Sequence, residues 1–222
     1  MRIALLGGTG DIGGGLALRW AYDTSHTVLI GSRDAEKART KAEEYTTELD
    51  SRGVDVDVAG FENRAAADRA NVVVLAVPPY HVGDTVEAIA DALDEGDVLV
   101  SPATGMKRDE DGFHYHKPGA GSVTRIVADA APSGVDVVGA FHNLAAARLS
   151  NLDAELGVDT LVIGDDEDAK RTVTDLAEGI EGLRALDAGG IANAPEIEAL
   201  TPLLVNIAHN NDGLNDLGVE FK

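Results

Sequence analysis

The chain contains no cysteine, which excludes disulfides, thiolate metal sites and cysteine nucleophiles. Aromatic residues make up only 4% of it, and lysine supplies 6 of its 18 basic residues against 39 acidic ones, for a formal net charge of −21. A field of that sign repels nucleic-acid phosphates and anionic membranes, so neither is an expected partner. No apolar run approaches the ~18 residues of a membrane span. The opening Met1-Arg2-Ile3-Ala4-Leu5-Leu6 runs straight into a glycine turn and leaves no room for a signal peptide, so the expected location is cytoplasmic. Scarce lysine and aromatics beside abundant Asp, Glu, Ala and Val fit a cytoplasm of very high salt, where screening removes most of the self-repulsion. The composition therefore reads as halophilic.

What is present is a soluble, core-forming chain. Its 222 residues, 44% of them apolar, suffice for one large domain and a small one. Short Val/Ile/Leu runs alternate with helical-length segments whose apolar residues recur every three or four positions, as βαβ units require. Strands are expected near Arg2 to Leu6, Thr27 to Ile30, Asp55 to Ala59, Val72 to Val77, Asp97 to Val100 and Val135 to Ala140. The intervening helices are expected at Ile12 to Tyr22, Ala35 to Leu49, Arg64 to Ala70, Val82 to Leu93 and Ser122 to Ala131. Nearly continuous apolar strands imply helices on both faces of a mainly parallel sheet, which is the doubly wound Rossmann-type α/β fold. After about Ser150 the pattern changes to one strand, Thr160 to Ile163, a charged helix, Glu167 to Ile180, and an apolar helix, Pro195 to Ala208, kinked or split at Pro202. The expected division is a dinucleotide-binding domain over residues 1–150 and a small C-terminal α/β domain over 151–222.

Gly8-Thr9-Gly10-Asp11-Ile12-Gly13 fits the G-x-G-x-x-G fingerprint, and it follows an apolar strand and opens a helix, with the next strand ending at Gly31. On this reading Gly8 permits the tight turn, Gly10 lets backbone amides approach a pyrophosphate, and Gly13 lets the helix pack closely on the strand. The Thr9 hydroxyl suits a phosphate oxygen or the local turn. Asp11 serves a helix N-terminus electrostatically and gains no binding role from physics alone. An NAD site usually carries an acidic residue at the end of the second strand; here stand Gly31-Ser32-Arg33, with Lys37 one helical turn on. Arg33 and Lys37 can pair with a 2′-phosphate and Ser32 can donate to it, so the dinucleotide expected is NADP(H). The alternative is that Arg33 and Lys37 are surface charges paired with Asp34 and Glu36.

The opening ten residues, Ile30-Gly31-Ser32-Arg33, Ala146 to Asp153, Val162 to Asp166, Gly182 to Gly189 and Leu200 to Ile207 together resemble the NADPH-dependent reductases of coenzyme F420, an 8-hydroxy-5-deazaflavin. The resemblance covers nearly the whole chain and points to an archaeal source. It implies reversible hydride transfer between NADP(H) and the deazaflavin by apposition in a cleft between the two domains, with no obligatory protein nucleophile. Carried over residue by residue, it implies Thr9, Asp11 and Ile12 on the pyrophosphate turn and Ser32, Arg33 and Lys37 on the 2′-phosphate. It also implies Val77 and Thr104 on the nicotinamide side, His142 and Ala146 near the nicotinamide, Leu217 near the deazaflavin, and a homodimer or higher homo-oligomer.

The chain departs from that family at Pro79 and Tyr80, where an aromatic then acidic pair is usual, at Asn143-Leu144-Ala145 in place of a Thr-Ile-Pro-like turn, and at Thr104, where an aliphatic residue is common. These departures bear on the shape of the second substrate's pocket. Reading the residues alone, His142 can serve either a cofactor or its own strand end, and His114 and His116 lack a geometry that suggests a metal. Two other functions stay open at this point: an NADPH-dependent reductase of an imine or keto acid, which needs a proton donor the sequence does not visibly supply, and a non-catalytic NADP(H) sensor. The apolar helix Pro195 to Ala208 is the expected self-association surface.

Overall fold

The computed structural model describes all 222 residues. Ten strands form in chain order: β1 (Arg2–Leu6), β2 (Thr27–Ser32), β3 (Val58–Glu62), β4 (Val72–Leu75), β5 (Val98–Ser101), β6 (Met106–Asp109), β7 (Gly112–Tyr115), β8 (Asp136–Gly139), β9 (Val158–Gly164) and β10 (Leu183–Asp187). Nine α-helices lie between and after them: α1 (Asp11–Asp23), α2 (Ala35–Ser51), α3 (Asn63–Ala67), α4 (Val82–Ile89), α5 (Val123–Ala130), α6 (Ala146–Ser150), α7 (Glu167–Glu178), α8 (Ala194–Glu198) and α9 (Leu200–Asn210).

Eight strands make one sheet in the order β10-β9-β8-β5-β4-β1-β2-β3, parallel throughout except where β9 runs antiparallel to β8. The order reverses between β1 and β4, the switch point at which a doubly wound sheet opens a crevice beyond its carboxyl ends. Side-chain alternation divides the core between the two faces. Ile3 and Leu5 pack with α1, α2 and α7, whereas Ala4 and Leu6 pack with α3, α4 and α5. This is the expected fold class, with a C-terminal α/β subdomain whose β9 and β10 extend the same sheet.

Several elements differ from expectation: β10 and α6 were not expected, and α3 and α4 end early, at Ala67 and Ile89. β3 begins at Val58, three residues late, because it pairs residue for residue with β2 from Val28 to Ser32. β4 ends at Leu75, and Ala76-Val77-Pro78 turns away at the carboxyl edge. The last apolar run divides into α8 and α9 at Ala199, three residues before Pro202, because a proline there has no N–H for the carbonyl of Glu198 and its ring would collide with it. The β6–β7 hairpin was not expected. Its exposed Met-Lys-Arg-Asp strand has no core pattern, and it is held from outside by Asn206 of α9, whose side chain accepts from the Phe113 amide at 2.8 Å and donates to the Phe113 carbonyl at 2.6 Å.

Candidate active site

The positive φ of the turn after β1 falls on Gly7, while Gly8 beside it is tightly enclosed, a Cβ there lying 2.9 Å from the Leu5 carbonyl oxygen. Gly7 has φ +87°, and a Cβ there would lie 2.3 Å from the carbonyl oxygen of Ala76, so both conformation and space demand glycine. Gly13 fits its expected part, since a Cβ on it would meet the Gly7 carbonyl at 2.6 Å. Gly10 is the N-cap of α1 and makes no side-chain cap. A Cβ on it would come within 4 Å only of the Gly7 carbonyl, so its outer side is open. The amides of Asp11, Ile12 and Gly13 donate to no group in the chain. They are the unpaired donors that a phosphate accepts at a helix N-terminus. The Asp11 side chain is exposed.

Beneath the turn, Tyr45 of α2 donates its buried hydroxyl to the Gly8 carbonyl at 2.9 Å, and burial pushes the phenol up to about 12. Nothing in the sequence marks this tyrosine except its place on the apolar face of α2. On the far side of α1, the buried guanidinium of Arg19 donates to four carbonyls, those of Arg148, Leu149, Asn151 and Ala154, at 2.7–3.2 Å. It thereby closes the C-terminal end of α6. The Ala146 carbonyl and the Leu149 side chain sit against Gly15, where a Cβ would meet the Leu149 Cβ at 2.6 Å. The glycine helix and the segment after His142 thus form one packed unit.

A cleft of about 620 Å³ opens over the carboxyl ends of β1, β2 and β4. It brings together Thr9, Gly10, Ser32, Arg33, Lys37 and Val77. Arg33 and Lys37 are exposed and form no ion pair. Asp34, the neighbour offered as a partner for them, instead caps α2 by accepting from the amides of Glu36 and Lys37. Two cations without an ion-pair partner therefore line this cleft, whose wall also carries Glu62 and Asp84. Tyr80 stands at the rim, 76% exposed, its ring 4.5 Å from that of His81.

A second cleft, of about 300 Å³, holds His142, Asn143, Thr201 and Leu217. Thr104 lines neither cleft. Its hydroxyl lies 3.1 Å from that of Thr201, which donates to the His142 carbonyl at 2.7 Å. This chain of contacts runs from the end of β5 to the second cleft. Phe141 carries a strained φ of +67°, held by its amide on the Thr160 hydroxyl at 2.9 Å and by edge-on packing against Trp20. His142 follows it, and burial lowers its imidazole to about 4, so the ring is neutral. Two buried polar atoms here, His142 Nδ1 and Asn143 Oδ1, have no partner.

Leu217 reaches the second cleft on the C-terminal tail. Asp159 of β9 pins that tail, its amide donating to the Val219 carbonyl at 2.7 Å and its carboxylate accepting from the Phe221 amide at 2.6 Å. Arg184, opposite Asp159 on β10, holds the carboxylate through Nε and Nη2 at 2.7 Å each and keeps it below the usual carboxylate range. Sequence reasoning missed this pair, as it missed Gly7, Tyr45 and Thr201.

The family profile described as "NADP oxidoreductase coenzyme F420-dependent" matches residues 2–105. The F420-dependent NADP reductase of Methanocaldococcus jannaschii is 40% identical over 221 residues, covering 96% of each chain. That of Methanothermobacter marburgensis is 38% identical over 217 residues, covering 95% of this chain and 94% of its own. A crystal structure of a candidate F420-dependent NADP reductase from Arthrobacter sp. FB24 superposes with a TM-score of 0.81 at 22% identity, over 100% of this chain and 99% of that one, which supports the fold. With glycine turn, free cations and second cleft set along the carboxyl edge of one sheet, and with relatives of this identity over this length, the chain belongs to the F420-dependent NADP reductase family.

Proposed function

We propose that the protein is an oxidoreductase that transfers a hydride reversibly between NADP(H) and coenzyme F420. The observation that carries the first half is the unpaired Arg33 and Lys37 beside Ser32 at the end of β2, where a carboxylate would repel a 2′-phosphate. The residues fit the dinucleotide: three free amides at Asp11, Ile12 and Gly13 suit its pyrophosphate, and the open side of Gly10 gives it room. Thr9 and Ile12 flank that turn. Val77 in the first cleft suits the nicotinamide side and His142 lines the second cleft, whereas Thr104 and Ala146 line neither and rest on the family resemblance alone.

The second half rests on the family and on the second cleft. Residues 151–222 complete that cleft around Leu217, next to the domain formed by residues 1–150. When bound, the two cofactors supply the hydride donor and acceptor between them. The protein's part is to hold two ring systems together and keep water out, which is how apposition without a protein nucleophile accelerates transfer. Deuteride from specifically labelled NADPH should appear in the reduced deazaflavin without loss to solvent. Exchange with solvent would contradict direct transfer.

The net charge of −21 supports a protein adapted to high salt. Maximal stability in dilute buffer would contradict that. Leu203 and Ile207, one turn apart on α9 and 52% and 37% exposed, support self-association through this helix. Sedimentation of wild type and Leu203→Glu tests it, and a monomeric wild type overturns it.

A further inference from the structure

Glu198 is fully buried, yet it has no cationic partner. It is the last residue of α8, and its oxygens take four hydrogen bonds. Oε1 accepts from the Thr124 amide at 2.9 Å and the Thr124 hydroxyl at 3.0 Å. Oε2 accepts from the Val123 amide at 3.0 Å and the Tyr115 hydroxyl at 2.9 Å. Burial pushes the carboxyl up and these donors pull it down. Four donors fill the acceptor positions of an ionised carboxylate, and two of them, the Val123 and Thr124 amides, can only donate; Tyr115 also reaches the Gly121 carbonyl, at 3.3 Å. The arrangement is that of a carboxylate.

The carboxylate fixes the hydroxyl of Thr124. Its single hydroxyl hydrogen points at Glu198, so toward any other neighbour the oxygen can only accept. The other neighbour is His142 Nε2, at 3.5 Å. No other group in the chain bonds the ring, and Nδ1 is buried without a partner. We propose that Glu198, acting through Thr124, is a positioning residue that holds His142 in the tautomer protonated at Nε2, leaving Nδ1 a fixed acceptor beside the second cleft for an N–H of a bound cofactor.

Three observations support this assignment. The Thr201 hydroxyl on the His142 carbonyl and the strained, packed Phe141 fix the backbone that carries the ring. Asn143, the next residue, donates Nδ2 to the Asp159 carbonyl at 2.7 Å, which assigns its Oδ1 as another acceptor, and that oxygen is also unpartnered. Two adjacent buried acceptors that the protein leaves without donors match a ligand edge rich in N–H groups and mismatch an anion. The nicotinamide carboxamide and the N–H of the deazaflavin ring both offer that chemistry. The cofactor half of the inference rests on the proposed function; the tautomer half does not.

The test is nitrogen-15 NMR of the full-length protein labelled at histidine, in wild type, Thr124→Val and Thr124→Ser. Two-bond ring correlations should show His142 protonated at Nε2 in wild type, lose that bias in Thr124→Val, and recover it in Thr124→Ser. A wild-type ring protonated at Nδ1, or a ring left unchanged in a folded Thr124→Val, would overturn the tautomer; the first of these is read on the wild type alone. Hydride transfer should fall about tenfold in Thr124→Val and return in Thr124→Ser, as the loss of one buried hydrogen bond implies. If Thr124→Val loses the tautomer and keeps full transfer, the acceptor role is overturned. If the wild type shows the tautomer and transfers no hydride, the proposed function fails and the tautomer stands. An NADPH analogue with a methyl ketone in place of the carboxamide locates the donor: a vanished penalty assigns it to the nicotinamide, and a persistent one to the deazaflavin.

Discussion

Arg184 and Asp159 face each other across β10 and β9, joined by two parallel hydrogen bonds of 2.7 Å, and the same carboxylate accepts the amide of Phe221. The pair is the anchor that brings Leu217 to the second cleft. Asp159 is buried and Arg184 half exposed, so removing the arginine leaves a buried carboxylate with only the Phe221 amide. Arg184→Met should lower stability. It should also raise the KM for the deazaflavin about tenfold, with little change in NADPH affinity; an NADPH defect of equal size would contradict the assignment. Because Asp159 titrates below its unfolded value, its contribution is present above the ordinary carboxylate range and is lost as pH falls through the folded value. Acid unfolding should therefore move to higher pH in Asp159→Asn and Arg184→Met alike.

The glycine turn separates folding from binding at neighbouring positions. Gly7→Ala places a Cβ against the Ala76 carbonyl at positive φ and should destabilise the fold by about 3 kcal/mol or more. Gly10→Ala meets little within the protein, so its melting temperature should stay close to wild type while NADPH binding weakens. Equal destabilisation by both would contradict the open cradle at Gly10.

Cofactor choice rests on Ser32 and Arg33. Ser32→Asp should lower NADPH affinity by at least tenfold and shift preference toward NADH, and Arg33→Ala should weaken NADPH by about 2 kcal/mol without affecting NADH. Isothermal titration with both nucleotides measures the split. An equal effect on both would mean that the 2′-phosphate lies elsewhere.

His142 gives stability a pH dependence of definite sign. Its folded value of about 4 lies below the unfolded value near 6.5, so between the two only the unfolded chain binds the proton. Its contribution is complete above about 6.5 and is lost as pH falls toward 4, by an amount on the order of 3 kcal/mol. Denaturant titrations of wild type and His142→Gln should converge as the pH is lowered across this window. A constant gap would contradict a neutral, buried imidazole.

Much of this was legible in the sequence for physical reasons that also mark its limits. Runs such as Ile3-Ala4-Leu5-Leu6 and Val72-Val73-Val74-Leu75 are buried on both faces, and only strands between helices need that composition. The fingerprint was legible as a dinucleotide turn, but which glycine bears the positive φ depends on how Ala76 comes round from β4, a contact between residues far apart in sequence. The Asp159–Arg184 anchor is visible only once β9 and β10 are in register, and β10 itself is a half-exposed edge strand with no apolar run. The β6–β7 hairpin and the carboxylate of Glu198 owe their positions to α8 and α9. The break between those helices was foreseen from Pro202, but not what it would place against Thr124.

The central claim is that this one fold brings NADPH and coenzyme F420 together for direct transfer. The most direct measurement mixes the purified protein at high salt with NADPH and oxidised deazaflavin and follows the deazaflavin's visible absorption. Bleaching in step with NADPH oxidation is the predicted result, and full retention of that absorption by protein that still binds NADPH would contradict it.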